Sequence, residues 1–133
     1  MPDRRHAHGR IGEDAAARFL QARGFKIRER NWRPGNSLRG EVDCIAWQGK
    51  TLCFVEVKTR LSRDDEKAVA PQEAVTPSKQ RQLSRLANAY VSYHRLDEIP
   101  CRFDVVEVWL DPAEPERKPR IELRRNAFDY CGF

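Results

Sequence analysis

The chain has 133 residues, enough for one domain with a core of its own. Its 40% hydrophobic and 34% charged residues describe a soluble globular protein, and no apolar run approaches the ~18 residues of a transmembrane helix. A net charge of +5 and a pI near 9.3 favour an anionic partner, with nucleic acid the first candidate.

Residues 1–9 read as a disordered N-terminal tail of charged and small residues, without the apolar stretch of a secretory signal. From Arg10 to Arg23, Ile11, Ala15, Phe19 and Ala22 recur at helical spacing, and Gly24 stops the helix. Glu13 borders that apolar stripe, where an acid in a first turn is favoured by the helix dipole. Phe25 to Trp32 reads as a strand, and Pro34-Gly35-Asn36-Ser37 as a loop. Two apolar runs then flank Gln48-Gly49-Lys50-Thr51, the signal of a β-hairpin from Gly40 to Lys58. A flexible loop follows over 59–76, as a flap over whatever the hairpin carries or as a solvated excursion.

Thr76 or Ser78 caps a second helix from Ser78 to Arg95, with Leu83, Leu86, Ala87, Tyr90 and Val91 on its buried stripe. Arg102 to Leu110 is a near-continuous apolar run and therefore an interior strand. Arg120 to Arg124 reads as an edge strand, and Phe128, Tyr130 and Phe133 in the tail pack back on the body. The strand before the second helix and the strand after it form a parallel pair through that crossover. The expected product is a single α/β domain over 10–130, a mixed central sheet flanked by helices in the order α-β-β-β-α-β(-β).

Cys44, Cys53, Cys101 and Cys131 form no Cys-Xaa-Xaa-Cys pair, and read as small buried apolar residues of a reducing cytoplasm rather than zinc ligands. His6, His8 and His94 fit neither a metalloprotease helix nor a Ser-His-Asp arrangement.

The chemistry gathers in the hairpin. A turn at Gly49-Lys50 pairs Gln48 with Thr51, and counting back sets Asp43 opposite Glu56 and Glu41 opposite Lys58. Alternation puts Glu41 and Asp43 on one face of their strand, and Glu56 and Lys58 on one face of theirs. Like charges placed opposite each other destabilise a sheet pair, so three carboxylates and an ammonium at one sheet end call for a reason. Such oxygen ligands suit a hard cation, Mg²⁺ or Mn²⁺, and a lysine one pleat away can steady a water or the charge on a phosphate. The alternative is an ion-pair network on a solvated sheet end. Lys79, Gln80, Arg81 and Arg85 crowd the first half of the second helix, whose N-terminus attracts anions, and Arg60 continues the hairpin beside them.

Asp43, the hairpin and Glu56-Val57-Lys58 resemble the bipartite signature of the PD-(D/E)XK nuclease superfamily, and Glu13 resembles the helix-one acid of its Holliday-junction-resolvase-like branch. Gly12-Glu13-Asp14-Ala15-Ala16, Gly40-Glu41-Val42-Asp43, Phe54-Val55-Glu56-Val57-Lys58-Thr59-Arg60 and Lys79-Gln80 resemble the YraN family of small bacterial proteins over about Arg10 to Tyr130. The resemblance implies a restriction-endonuclease-like fold and catalytic residues Asp43, Glu56, Lys58 and Glu13. Asp43, Glu56 and Glu13 would hold Mg²⁺ or Mn²⁺, and Lys58 would position the attacking water. Gln80 resembles a helix-two glutamine that some members use near the site. Val42 stands where the superfamily is named for proline, and Glu41 is an additional acid without an assigned role.

The function expected is a metal-dependent endonuclease hydrolysing DNA, branched or single-stranded, with Arg60, Lys79, Arg81 and Arg85 on the backbone phosphates. The rival is a non-catalytic adaptor for nucleic acid or protein that retains the fold. A homodimer through the sheet edge near Ile121 is a further expectation. No membrane partner is expected, and the setting is cytoplasmic.

Overall fold

Hydrophobic residues on both faces of three adjacent strands decide the architecture. In the computed structural model, which describes residues 4–35, 38–61 and 75–131, helix α1 spans Arg4–Ala22 and strands β1, β2 and β3 span Lys26–Trp32, Val42–Gln48 and Thr51–Leu61. Helix α2 spans Pro77–Tyr93, and β4 and β5 span Cys101–Leu110 and Arg120–Phe128. The five strands form one mixed sheet in the order β1-β2-β3-β4-β5, antiparallel throughout except for the parallel pair β3–β4. This is the α/β single domain expected, with the elements in the order expected.

Each face of the sheet buries one helix. Ala15, Ala16 and Leu20 of α1 pack on Cys44, Cys53, Val55, Val57, Val106 and Val108. Leu83, Leu86, Ala87 and Tyr90 of α2 pack on Ile45, Leu52, Phe54, Phe103 and Val105. Coverage on both faces explains why β3 and β4 read as unbroken apolar runs. Thr76 caps α2 by accepting a hydrogen bond from the Lys79 N–H at 3.1 Å, with Pro77 in the first turn.

Three boundaries differ from the sequence reading by more than two residues. The chain is helical from Arg4, where a disordered tail is expected as far as Gly9. Ala7 and the neighbouring arginines are sound helix formers, so the ladder seeded by the packed turns propagates outward at little cost. β3 runs on to Leu61, taking the first three residues of the expected loop because β4 offers partners up to Leu61↔Leu110. Of the rest of that expectation, residues 62–74 lie outside the described residues, and Val75 and Thr76 lead into α2. β5 extends to Phe128 instead of Arg124, since Phe128 stacks on Phe103 at 4.7 Å and the Asn126 N–H donates to Asp104 at 2.9 Å. Of the cysteines, Cys44 and Cys53 are buried as expected, whereas Cys101 is exposed at the start of β4.

Candidate metal centre

Two glycines let the site assemble. A Cβ on Gly12 would fall inside the Thr59 side chain, so only glycine allows α1 to lie this close to β3 and bring Glu13 to the sheet. Gly40 sits at φ +104°, and a Cβ there would lie 2.6 Å from Gln82 Nε2 of α2. It turns the chain beneath α2 into β2, so that Glu41 and Asp43 arrive at the end of the sheet.

The hairpin ladder is the one counted from sequence, from Gln48↔Thr51 to Cys44↔Val55. Beyond that pair the Asp43 carboxylate takes over: its Oδ2 accepts the Val57 N–H at 2.8 Å. A side chain thus replaces the next backbone partner of β3, and the two strands part around the acids. Glu41, Asp43 and Glu13 each offer an oxygen within 4.8 Å of the others. Glu56 enters from β3, 6% exposed, close enough to Asp43 for the two carboxyls to share a proton.

This crowding has an electrostatic consequence. Burial first, then the neighbouring Glu56 and Glu41, push the Asp43 carboxyl up to about 8, against the opposing hydrogen bond from Val57. Burial also raises Glu13 above the ordinary carboxylate range, Asp43 and Glu41 add to the rise, and a hydrogen bond from Asn31 and the charge of Arg30 oppose it. Glu56 Oε2 is buried and accepts no hydrogen bond from the described residues; the nearest cation, Lys79 Nζ, is 3.7 Å away. A hard divalent cation fits such a place: the donors are carboxylate oxygens, one of them orphaned, and their charge is under-compensated.

Lys58 is partly exposed two residues beyond Glu56, on the same face of β3. Lys79, at the N-terminus of α2, leans on Glu56, which brings the helix start to the site. Gln80 donates from Nε2 to the Val75 carbonyl at 3.1 Å and so braces the turn into α2. Arg60 points to the neighbouring strand, where its Nε meets Glu107 Oε2 at 3.1 Å. Arg81 and Arg85 lie on the exposed side of α2.

Several residues of the site carry no mark in the sequence reading. Asn31 adopts φ +50°, and its Nδ2 donates to Glu13 Oε1 at 3.2 Å. It stands between the pairs Arg30↔Cys44 and Trp32↔Val42, level with Asp43 on the next strand. Its neighbours hold further acids: Arg30 pairs with Asp14 at 2.6 Å, and Arg33 with Glu41 at 2.9 Å. The end of β1 therefore lines the acidic cluster with one amide and two guanidinium groups. Glu107 is fully buried on β4, level with Lys58 in the parallel register, and its Oε1 has no partner among the described residues. An acid within an apolar strand is the signal that marks Glu107, as it marks Asp104. For Asn31, no such signal precedes knowledge of its left-handed backbone.

The family model described as "Uncharacterised protein family UPF0102", which is the YraN family, matches residues 12–108. A UPF0102 protein of Prosthecochloris aestuarii is 48% identical over 118 residues, covering 89% of this chain and 88% of its own. The UPF0102 protein STH1475 of Symbiobacterium thermophilum is 48% identical over 120 residues, covering 90% and 94%. The solved structure of Pyrococcus furiosus SfsA in complex with Ca²⁺ covers 92% of this chain and 63% of its own, at 17% identity and a TM-score of 0.37, a likeness too slight to bear on fold or site.

Proposed function

The chain belongs to the UPF0102 (YraN) family, and from that membership and the geometry of its acids we propose a metal-dependent nuclease that hydrolyses phosphodiester bonds in DNA. The observation that carries this reading is the buried Asp43–Glu56 pair: two carboxyls held together where the hairpin parts, one oxygen of Glu56 without a hydrogen bond among the described residues, and Asp43 pushed up to about 8. As a purely structural device that arrangement costs stability, so its retention points to a cation that repays it.

Asp43, Glu56 and Glu13 would hold the ion, and Glu41 offers an oxygen within 4.8 Å of those of Asp43 and Glu13, a grouping that does not include Glu56. Bound there, Mg²⁺ or Mn²⁺ supplies charge to polarise a phosphate and lower the pKa of a water. Lys58, on the same face as Glu56, orients the attacking water and offsets charge developing on the phosphate oxygens. Lys79 and the N–H groups at the start of α2 attract the strand, and Arg81 and Arg85 extend that attraction along the helix. Arg60 serves differently: tied to Glu107, it holds positive charge at the edge of the site in a fixed place.

The test is cleavage of duplex, single-stranded, flap and four-way-junction DNA and of structured RNA with Mg²⁺ or Mn²⁺, with Glu56→Ala prepared in parallel. Cleavage by the wild type alone supports the nuclease. Absence of cleavage by both proteins, with binding that weakens steeply as salt rises, would assign a nucleic-acid-binding adaptor instead.

A further inference from the structure

Beside the acids lies a cleft that the catalytic reading leaves without a task. It measures about 450 Å³ and is lined by Trp32, Arg33, Pro34, Gly35, Ala89 and Tyr93. Two aromatic rings, a proline and a guanidinium are all groups on which a flat ring stacks. Trp32 is a fixed wall, half-buried and edge-on to Tyr90 at 5.0 Å. Tyr93 is the opposite case, 80% exposed on the last turn of α2, an aromatic whose exposure no packing contact of the core requires.

We propose that this cleft seats an unpaired nucleotide, its base against Trp32 and Tyr93, and so selects single-stranded or locally unpaired strands for the neighbouring acids. The inference deepens the nuclease reading and rests on it for what happens after binding. Arg33 makes the connection: its Nε binds Glu41 Oε2 at 2.9 Å, while its side chain stays 71% exposed to meet a phosphate. A nucleotide in the cleft therefore places its backbone next to Glu41 and Asp43. Bases within a duplex are already stacked and paired, so a site built to stack one ring is reached by a base that has left the helix.

Charge distinguishes this cleft from a second one. The second cleft, about 330 Å³, lies at the far end of the sheet and is edged by Asp97 and Asp129. The arginine it contains, Arg102, pairs with Asp104 at 2.9 Å and is 20% exposed, whereas Arg33, also paired with an acid, keeps 71% of its side chain exposed. An anionic strand is repelled there and attracted at Arg33. The volume of the Arg33 cleft lies in the ~300–1,000 Å³ range of small-molecule sites.

The experiment uses the full chain without divalent cation, so that nothing is cleaved. Short single-stranded DNA carrying 2-aminopurine, the same sequence as RNA, and the matched duplex are titrated by fluorescence. Wild type is expected to bind the single strand more tightly than the duplex and to quench the 2-aminopurine by stacking. Tyr93→Ala, at an exposed position that leaves the fold intact, lowers single-strand affinity roughly tenfold and abolishes the quench, and Tyr93→Phe restores both. Duplex affinity stays unchanged in both variants. Quenching of the RNA strand supports the cleft and extends it to either sugar. Equal affinity for single strand and duplex, or a Tyr93→Ala that leaves single-strand affinity intact or lowers both alike, overturns the proposal. The outcomes separate from those of the nuclease reading: cleavage without strand preference removes the cleft alone, and quenching without cleavage in Mg²⁺ removes the nuclease alone.

Discussion

Replacing Asp43 by Asn is expected to abolish the activity and make the metal-free protein more stable. The amide imitates the protonated acid: one oxygen still accepts the Val57 N–H, and the nitrogen can donate towards Glu56. The sign follows from linkage. The folded Asp43 keeps its proton up to about pH 8, whereas the unfolded carboxyl, with its ordinary value of 3.8, releases it. Between those values the folded state binds more protons, so stability falls as pH rises through the window and levels off above it. At 1.36 kcal/mol per pH unit, the wild type at pH 7 carries a penalty of about 4 kcal/mol that Asn never incurs. Relaxation around the pair reduces the realised gain to on the order of 2–4 kcal/mol, or roughly 10 °C in Tm for a domain of this size. Thermal unfolding in EDTA at pH 5, 6, 7 and 8 provides the assay. The gap between Asp43→Asn and wild type should widen with pH, and comparing the two proteins removes the contribution of groups that do not touch Asp43. Adding Mg²⁺ should raise the Tm of the wild type and leave the variant nearly unmoved. A variant less stable than wild type at pH 7.5 without metal, or a gap that does not change with pH, would refute the reasoning.

Asn31 separates backbone strain from hydrogen bonding. Asn31→Gly keeps φ +50° accessible, so metal-free stability should hold within about 1 kcal/mol, while loss of the amide to Glu13 weakens Mn²⁺ binding roughly tenfold by calorimetry. Unchanged Mn²⁺ affinity would reduce Asn31 to a turn residue. The Arg60–Glu107 pair should respond asymmetrically in urea: Arg60→Ala strands a fully buried carboxylate and costs about 3 kcal/mol, whereas Glu107→Gln frees an arginine that reaches water and costs about 1 kcal/mol. Equal losses would show that the burial of Glu107 does not govern the pair. Gly12→Ala should cost about 2–3 kcal/mol by collision with Thr59, and Thr59→Gly should restore most of it; no rescue would mean that α1 moves as a unit.

What the sequence discloses depends on how local the determining contact is. The hairpin register was legible because the turn at Gly49-Lys50 and the alternation on either side fix it from within. The facing of Asp43 and Glu56 followed from that register, but the hydrogen bond from Val57 to Asp43 did not, since it replaces the regular pairing that counting assumes. β4 was recognised as interior from its apolar run, which drew attention away from Asp104 and Glu107, both fully buried within it. Arg30 and Arg33 carry no mark of their roles in the sequence, since their partners Asp14 and Glu41 belong to other parts of the chain. The start of α1 and the end of β5 lie outside the sequence reading because each is an extension of a packed element: the first turns of α1 continue its ladder, and Phe128 and Asn126 are held by Phe103 and Asp104 on β4.

The contact between Gly12 and Thr59 gives the molecule one stationary jaw. With no side chain at position 12 to cushion the approach, the helix backbone lies directly against the short Thr59 side chain, and Glu13 is held close to β3. Across the sheet, Gly40 meets the far end of the Gln82 side chain, which can swing aside. Any adjustment to the girth of an incoming strand therefore falls to the α2 side, which carries Lys79 at one end and Tyr93 at the other. The acids keep their spacing while the grip around them changes.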